Sequence, residues 1–190
     1  MSSFPVALDL SNKPCLVVGS GLEACERARA LRDVGALVEV VSAAPSAELG
    51  ALCRELALPL AERPFTESDL DGKWLAVLVD RDLELGAHMA SLCHARRLLF
   101  CATDQPQNNS FSHMALARAG LVVAAIGTQG RAPALGRKLR EELSRLFDAA
   151  GLADFAEKLA QLRDSTPPAE RRALLGAALA HVRIDGALKL

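Results

Sequence analysis

Aromatic side chains, net charge and long apolar runs are all scarce in this chain of 190 residues. Aromatic residues make up 4% of it and Tyr is absent, which excludes a Ser-Tyr-Lys catalytic set. The 22 basic and 23 acidic residues leave a net charge of -1, so we expect no nucleic-acid partner and no membrane-surface binding. No apolar run approaches the roughly 20 residues of a membrane span, and the N-terminus lacks the features of a signal peptide. The protein is therefore expected to be cytoplasmic.

Cysteine and histidine are also too few and too scattered for a metal centre. The five cysteines include no C-x-x-C pair, and the four histidines share no metal-ligand spacing. An odd number of dispersed cysteines within apolar segments is typical of reduced, buried thiols. We therefore predict no metal site. Hydrophobic residues make up 51% of the chain, enough for one substantial core and a smaller attached unit.

The most informative segment runs from Lys13 to Glu39. A short apolar run, Cys15–Val18, meets the pattern Gly-x-Gly-x-x-Ala at residues 19–24, and a helix-period segment then leads to a second apolar run, Val38–Val41. A strand, a glycine turn, a helix and a strand in this order form the unit that binds the pyrophosphate of a dinucleotide. Its first Gly permits the tight turn, its second lets the backbone approach phosphate, and the small Ala lets helix and strand pack closely.

This unit also indicates where a cofactor would lie. The predicted cofactor-binding residues are Gly19, Ser20, Gly21, Leu22, Glu23, Ala24 and Ser42. Ser42 ends the second strand, about twenty residues after the turn, where many dinucleotide sites carry an acidic residue for the ribose hydroxyls. Neither an acidic residue nor an Arg stands there. Because a 2′-phosphate would have no obvious clamp, NAD is favoured over NADP.

The remaining sequence predicts a two-part architecture. Strand-like and helix-like segments alternate to about residue 102, which favours an open parallel α/β sheet. The turn-rich run Thr103–Ser110 interrupts the pattern. Beyond it the predicted elements are strands at Phe111–Ala117 and Leu121–Ile126, a helix from Pro133 to Phe147, and helices at 153–163 and 168–182.

We therefore predict a Rossmann-type NAD-binding domain at residues 1–110, a dimerisation region of two strands plus a helix at 111–148, and a C-terminal helical segment at 149–190. The second and third parts offer only a small core of their own. Their apolar faces are expected to pack against a second copy of the chain, giving a homodimer.

Five short motifs follow one another in an order that resembles a known family. They are G-x-G-x-x-A at 19–24, W-L-A-V at 74–77, C-A-T-D-x-P at 101–106, S-F at 110–111 and I-x-T-x-G-x-x-P-x-L-x-R-x-L-R-E at 126–141. This order is similar to that of the NAD-dependent dehydrogenase module of siroheme synthases, from about Leu8 to the C-terminal helices. The resemblance implies NAD-dependent oxidation of precorrin-2 to sirohydrochlorin in siroheme biosynthesis. Some stand-alone members of the family also insert the iron, so ferrochelatase activity is a second reaction that the resemblance allows.

The resemblance further implies a homodimer with the tetrapyrrole in a cleft between domains. The family's catalytic aspartate falls on Asp104, and the Ser or Thr of its second glycine turn, phosphorylated in some members, falls on Thr128. Asp104 stands just beyond a predicted parallel strand, where open α/β sheets bind ligands. A turn-forming Asp is the alternative, because Asp-x-Pro is common in loops. As a catalytic residue, Asp104 would act as a base or orient a ring nitrogen while precorrin-2 gives a hydride to the nicotinamide.

Substrate-binding residues are predicted around the second glycine turn and just after the Asp104 loop. They are Thr128, Gly130, Arg131 and His113. Basic side chains beside the N–H groups of a helix start would suit the carboxylates of precorrin-2. A solvated helix face is the alternative for the basic cluster of Arg131, Arg137, Lys138 and Arg140. A structural or surface role is the alternative for His113.

The chain departs from the family pattern at several positions, some of them near the expected ligands. Asp80 stands where Thr is usual, and Gly86 and Cys101 stand where Asn is usual. These departures leave a second hypothesis open. The chain would then be a non-catalytic dimeric Rossmann module that binds NAD or a tetrapyrrole and regulates a partner.

Overall fold

The computed structural model of the chain describes residues 4–185. These residues fall into two compact units, one ending at His113 and the other beginning at Met114. The division at residues 110 and 148 that the sequence favours stays a prediction.

The first unit is built on a parallel sheet. Its strands are β1 (Pro14–Val18), β2 (Leu37–Val41), β3 (Leu60–Ala61), β4 (Leu75–Leu78) and β5 (Leu99–Ala102). Its helices are α1 (Gly21–Asp33), α2 (Ala47–Glu55) and α3 (Leu83–Ala95). The strands pair in parallel in the order β3-β2-β1-β4-β5, which confirms the predicted Rossmann-type fold class.

Burial on both faces explains why the central strands are continuous apolar runs. On one face Val17 of β1 belongs to a core cluster with Ala28 of α1 and Leu49 of α2. On the other face Leu16 clusters with Met89 of α3. A fully buried Leu or Val contributes about 1.5–3 kcal/mol, so the two clusters hold the sheet and fix its strand ends.

The second unit combines a hairpin with helices. Its elements are β6 (Ala115–Ala119), β7 (Val122–Ile126), α4 (Pro133–Ala149), α5 (Leu152–Ser165) and α6 (Arg171–Leu179). The two strands are antiparallel. Helix α4 packs on one face of the hairpin, where Ala117 is completely buried. The opposite face carries Leu116 and Val123, which are 38% and 49% exposed.

Several element boundaries differ from the sequence-based expectation: the first strand of the hairpin, for instance, begins at Ala115 and not at Phe111. The hairpin turn is Gly120–Leu121, because Ala119 pairs with Val122 and Gly120 has a φ of +53°. Gly at the first central position is what a type II′ hairpin turn requires. The last helix begins at Arg171 instead of residue 168, because the segment after Thr166 forms a turn in which the Arg171 Nε donates to the Thr166 carbonyl at 2.9 Å.

Within residues 4–185, no helix has both the length and the apolar character that crossing a membrane requires. The same part of the chain holds no group of three or more His, Cys, Asp or Glu side chains placed to bind a metal ion. All five cysteines are free thiols and four of them are buried. Desolvation raises the pKa of Cys15, Cys93 and Cys101 to about 11, so these groups are neutral thiols at pH 7.

Candidate functional site

The carboxyl ends of β1, β4 and β5 lie side by side at one edge of the sheet. The chain reverses its winding direction between β1 and β4, and open α/β sheets bind ligands at such a point. Strand β1 leads into the glycine turn, β4 into Val79–Asp82, and β5 into the loop that contains Asp104. Most of the residues predicted for the cofactor and the chemistry therefore share this edge.

Glycine is required in the turn for two different reasons. Gly19 has a φ of +129°, and a Cβ there would collide with the side chain of Val79 and lie 3.3 Å from the Asp80 nitrogen. Gly19 thus allows the turn to approach the end of β4. Gly21 has a φ of +77° and no atom would lie within 4 Å of its Cβ. The space above Gly21 is therefore open for a ligand that approaches the backbone.

No side chain of the N-cap residue caps the N-terminus of α1. Ser20 occupies the N-cap position but makes no capping hydrogen bond. Its hydroxyl instead donates to the Ala44 carbonyl at 2.9 Å and accepts from the Ser46 N–H at 2.8 Å. By contrast, the Ser46 hydroxyl caps α2 by accepting from the Leu49 N–H. The N–H groups of the first turn of α1 are therefore free to bind an anion, and the helix dipole favours one there.

The three residues that follow Gly21 differ in their exposure and in their contacts. Leu22 is 71% exposed, whereas Ala24 is completely buried, which supports its predicted role in close packing. The Glu23 carboxylate pairs with Arg27 at 3.2 Å and accepts from the Thr103 hydroxyl at 2.8 Å. Glu23 thus connects α1 to the end of β5.

Ser42 lies beneath the surface at the end of β2. It is 3% exposed and its N–H donates to the Ala61 carbonyl at 3.0 Å. The exposed residues beside it are Ala43 and Glu62. A direct contact between the Ser42 hydroxyl and a ribose stays a prediction.

These features fit the pyrophosphate of a dinucleotide. The open space at Gly21 and the uncapped N-terminus of α1 supply room, N–H donors and a favourable dipole at one place. Gly21, Leu22 and Glu23 would hold the pyrophosphate through their backbone N–H groups.

Asp104 lies at the same edge, in a constrained backbone conformation. Its φ is +57°, in the left-handed region that Asp and Asn tolerate better than other non-glycine residues. The Arg81 Nε lies 3.3 Å from its carboxylate, and both side chains are mostly exposed. The carboxylate is therefore accessible to a ligand and has a cationic neighbour that such a ligand would also meet.

The loop that carries Asp104 is fixed along the free edge of β5. The Asn109 side chain accepts from the Ala102 N–H at 2.6 Å and donates to the Ala102 carbonyl at 3.2 Å. The Ser110 hydroxyl accepts from the Phe100 N–H at 2.8 Å. These side chains pair with the edge of β5 as another strand would.

His113 ends the first unit. Its imidazole makes an edge-to-face contact with the Phe111 ring, with 5.3 Å between centroids. Desolvation and the nearby Arg27 lower the pKa of His113, although the residue keeps an exposed surface. Its imidazole is therefore neutral at pH 7.

The second unit contains the other predicted site residues. Gln129 and Gly130 have φ values of +55° and +73°, and the Arg131 N–H donates to the Thr128 carbonyl at 3.0 Å. This tight turn precedes α4, whose N-cap residue, Ala132, offers no side-chain cap. Arg131 is exposed. The structure thus places Thr128, Gly130 and Arg131 together in one turn of this unit.

Most of the neighbouring basic residues are occupied within α4. Lys138 pairs with Glu142 at 2.6 Å and Arg140 pairs with Glu141 at 3.5 Å. Among the described residues, Arg131 and Arg137 make no ion pair. The alternative of a solvated helix face therefore suits Lys138 and Arg140 better than it suits Arg131.

Sequence reasoning missed the side chains that hold the Asp104 loop, namely Thr103, Gln105, Asn109 and Ser110. The run Thr103–Ser110 is recognisable as a turn-rich segment. Its polar composition gives no sign that Gln105 is 1% exposed. Arg81 was missed as well, because an Arg after a strand is usually a solvated residue.

Comparison with known proteins gives consistent matches. A family model described as "Putative NAD(P)-binding" matches residues 6–115. The siroheme synthase of Psychromonas ingrahamii is 34% identical over 147 residues, which cover 77% of this chain and 31% of that protein. That of Thioalkalivibrio sulfidiphilus is 33% identical over 150 residues, covering 79% and 31%. An Escherichia coli siroheme synthase is 33% identical over 163 residues, covering 86% and 35%.

One solved structure has the same fold. It is described as "SirC, precorrin-2 dehydrogenase", and it matches with a TM-score of 0.74 at 22% sequence identity, covering 92% of this chain and 88% of that one. The chain spans about a third of the length of the siroheme synthases it matches.

An open parallel sheet whose first strand leads through a glycine turn into a helix with an uncapped N-terminus defines a Rossmann-type dinucleotide-binding protein. More particularly, this chain belongs to the NAD(P)-binding family whose model covers residues 6–115. The siroheme synthases that are 33–34% identical to this chain confirm the resemblance that the sequence motifs carry.

Proposed function

We propose that this protein oxidises precorrin-2 to sirohydrochlorin with NAD as the hydride acceptor, a reaction of siroheme biosynthesis. The observation that carries the proposal is that one edge of the sheet holds two features. The glycine turn after β1 leads into the uncapped N-terminus of α1, and an accessible Asp104 follows β5. The names of the siroheme synthase relatives and of the structural neighbour support the choice of substrate.

The residues of the turn bind and orient the cofactor in this proposal. Gly21 gives the pyrophosphate room, and the N–H groups at the start of α1 donate to it. NAD, when bound, supplies the hydride acceptor. NAD is chosen over NADP because residues 42–46 contain no Lys or Arg to pair with a 2′-phosphate.

Asp104 serves as the base. In a two-electron oxidation of a C–H/N–H or C–H/C–H unit, one hydrogen leaves with both electrons as a hydride and the other leaves as a proton. The Asp104 carboxylate takes that proton and passes it to water. Arg81, 3.3 Å away, can bind a substrate carboxylate at the same time, which would bring the reacting ring to Asp104.

In this proposal the second unit binds the tetrapyrrole and forms the homodimer. Arg131 and the N–H groups near Thr128 and Gly130 bind carboxylates of the tetrapyrrole. The exposed face of the hairpin, with Leu116 and Val123, packs against a second copy of the chain, because adjacent exposed apolar side chains mark an interaction surface. The free cysteine thiols suit the reducing cytoplasm, where we place the protein.

The dimer is tested separately from the chemistry. Val123→Glu puts a charge on the exposed hairpin face and should convert a dimer to a monomer in light scattering at micromolar concentration. Leu37→Glu, at a 55% exposed position of the first unit, is the control and should remain dimeric. A wild type that is already monomeric would refute the dimer.

The proposed reaction is tested with purified protein, precorrin-2 and NAD under anaerobic conditions. NADH should appear together with the sirohydrochlorin spectrum, and neither should form when NAD is omitted. Tight NAD binding with no NADH would contradict the proposal. It would favour the non-catalytic module that the departures at Asp80, Gly86 and Cys101 suggest.

A further inference from the structure

Gly86 provides the space for a buried side chain from another part of the chain. It lies in the first half of α3 and is buried. A Cβ at this position would collide with the Gln105 side chain, and the three nearest atoms all belong to its amide group. The Gln105 amide therefore occupies the place that any side chain at residue 86 would take.

Gln105 is fully engaged there. Only 1% of it is exposed. Its Nε2 donates to the Asp82 carbonyl at 3.1 Å and lies 3.4 Å from the Asp80 carbonyl. Its Oε1 accepts from the Asn108 side chain at 2.8 Å. A buried amide with these partners joins the loop after β4 to the loop after β5, and removing it would break these hydrogen bonds.

This arrangement fixes the residues on both sides of Asp104. The hydroxyl of Thr103 is bound to Glu23 at 2.8 Å, and Gln105 is bound to the Asp80–Asp82 backbone. Asp104 stands between them in the left-handed conformation. Since Arg81 lies within the segment that Gln105 holds, the same contacts also determine where the cationic neighbour of Asp104 lies.

We infer that Gln105 is a positioning residue for Asp104 and that the glycine at residue 86 makes room for the Gln105 amide. The inference rests on the proposed function only for the role of Asp104 in proton transfer. The amide acts through the backbone: it sets the distance between the Asp104 carboxylate and the reacting ring. Misplacement of about 1 Å in such a group can cost about 10²-fold in rate.

Four variants test this relationship. Gln105→Ala removes the amide, and Gly86→Ala displaces it. Gln105→Glu keeps the shape but points an acceptor at two carbonyl oxygens. The double variant Gly86→Asn with Gln105→Ala moves an amide from residue 105 to residue 86. Gln107→Ala is the matched control, because Gln107 is an exposed Gln in the same loop.

Two measurements are made on each variant. Steady-state kinetics with calorimetry of NAD binding separate kcat from the KM for precorrin-2 and from cofactor affinity. Hydrogen–deuterium exchange of peptides covering residues 103–110 reports the order of the loop without any substrate.

The three single variants at residues 86 and 105 should lower kcat by roughly 10- to 100-fold, with NAD affinity within about twofold, and should exchange faster in residues 103–110. The double variant should recover most of kcat and of the protection, whereas Gln107→Ala should match the wild type. A Gln105→Ala protein with wild-type kcat and unchanged exchange would overturn the inference.

If the wild type forms no NADH, the proposed function fails and the exchange data alone decide. Unchanged protection in Gln105→Ala then overturns the positioning role, and lost protection that the double variant restores supports it.

Discussion

The Thr103 hydroxyl donates a 2.8 Å hydrogen bond to Glu23, so the helix after the glycine turn is tied to the strand end that carries Asp104. Glu23 also pairs with Arg27 at 3.2 Å. This pair partly offsets the negative charge of Glu23 close to the expected pyrophosphate. The cofactor turn and the Asp104 loop are thus joined by one charged hydrogen bond.

A double-mutant cycle measures that connection. Thr103→Val keeps the side-chain shape and removes the donor, and Glu23→Ala removes the acceptor. Because a hydrogen bond to a charged group contributes about 1.5–3 kcal/mol, the two changes should show a coupling of about 1–2 kcal/mol in denaturant unfolding. Free energies that add within about 0.3 kcal/mol would mean that the hydrogen bond contributes nothing to stability.

Gly21 should matter for the cofactor, and Gly72 provides its control. Both have positive φ, +77° and +70°, and neither has an atom within 4 Å of a built Cβ. Valine at either position should cost a similar amount of stability through backbone strain. Only Gly21→Val should lose NAD binding, by tenfold or more in calorimetry, because its side chain would occupy the pyrophosphate space. Undiminished NAD affinity in that variant would remove the glycine turn from the site.

The stability of the first unit should fall in acid because of Asp69. Its carboxylate accepts from Arg63 at 2.6 and 2.9 Å and from the Thr66 N–H at 2.8 Å. The Arg63 hydrogen bonds lower the pKa of Asp69 to about 2. A lowered folded-state pKa stabilises the protein above the unfolded value near 4, and this contribution is lost as the pH falls through 2.

Since Arg63 is partly exposed, we expect about 1–2 kcal/mol from this group. Asp69→Asn should therefore reduce the change in the free energy of unfolding between pH 4 and 2. Urea titration at each pH measures this free energy. If the free energy of unfolding falls with pH equally in the variant and the wild type, other carboxylates cause the loss of stability in acid.

The strands and the glycine turn could be predicted from sequence because local patterns determine them. Val17 and its neighbours form an apolar run, and Gly-x-Gly-x-x-Ala has a fixed place in a strand–turn–helix unit. What the sequence does not show comes from long-range contacts. Ser20 is diverted from α1 by Ala44 and Ser46, and the burial of Ser42 follows from its pairing next to β3.

Trp74 shows the same limit at the start of β4. The continuous apolar run at residues 74–79 is typical of a strand buried on both faces, yet Trp74 is 53% exposed, with the Lys13 ammonium 4.1 Å from its ring centre. An exposed aromatic ring is tolerated there because the cation covers one of its faces. The buried Gln105 is the largest omission, since only the tertiary fold brings residue 105 to Gly86.

The proton-transfer role of Asp104 is best tested with Asp104→Asn. Asn has the same shape and tolerates a φ of +57°, so the loop should keep its conformation while the base is lost. Dinucleotide affinity should change little, because the pyrophosphate lies at the glycine turn. His113→Gln is the companion variant, since His113 is the next candidate base.

Single-turnover oxidation of precorrin-2 at saturating NAD, in the wild type and in Asp104→Asn, tests the central claim most directly. The wild type should form one equivalent of NADH per site. The variant should do so 10²–10⁴-fold more slowly, the usual cost of losing a general base, with unchanged NAD binding. Turnover by Asp104→Asn within a few-fold of the wild type would contradict the assignment, and a wild type that forms no NADH would contradict the proposed reaction itself.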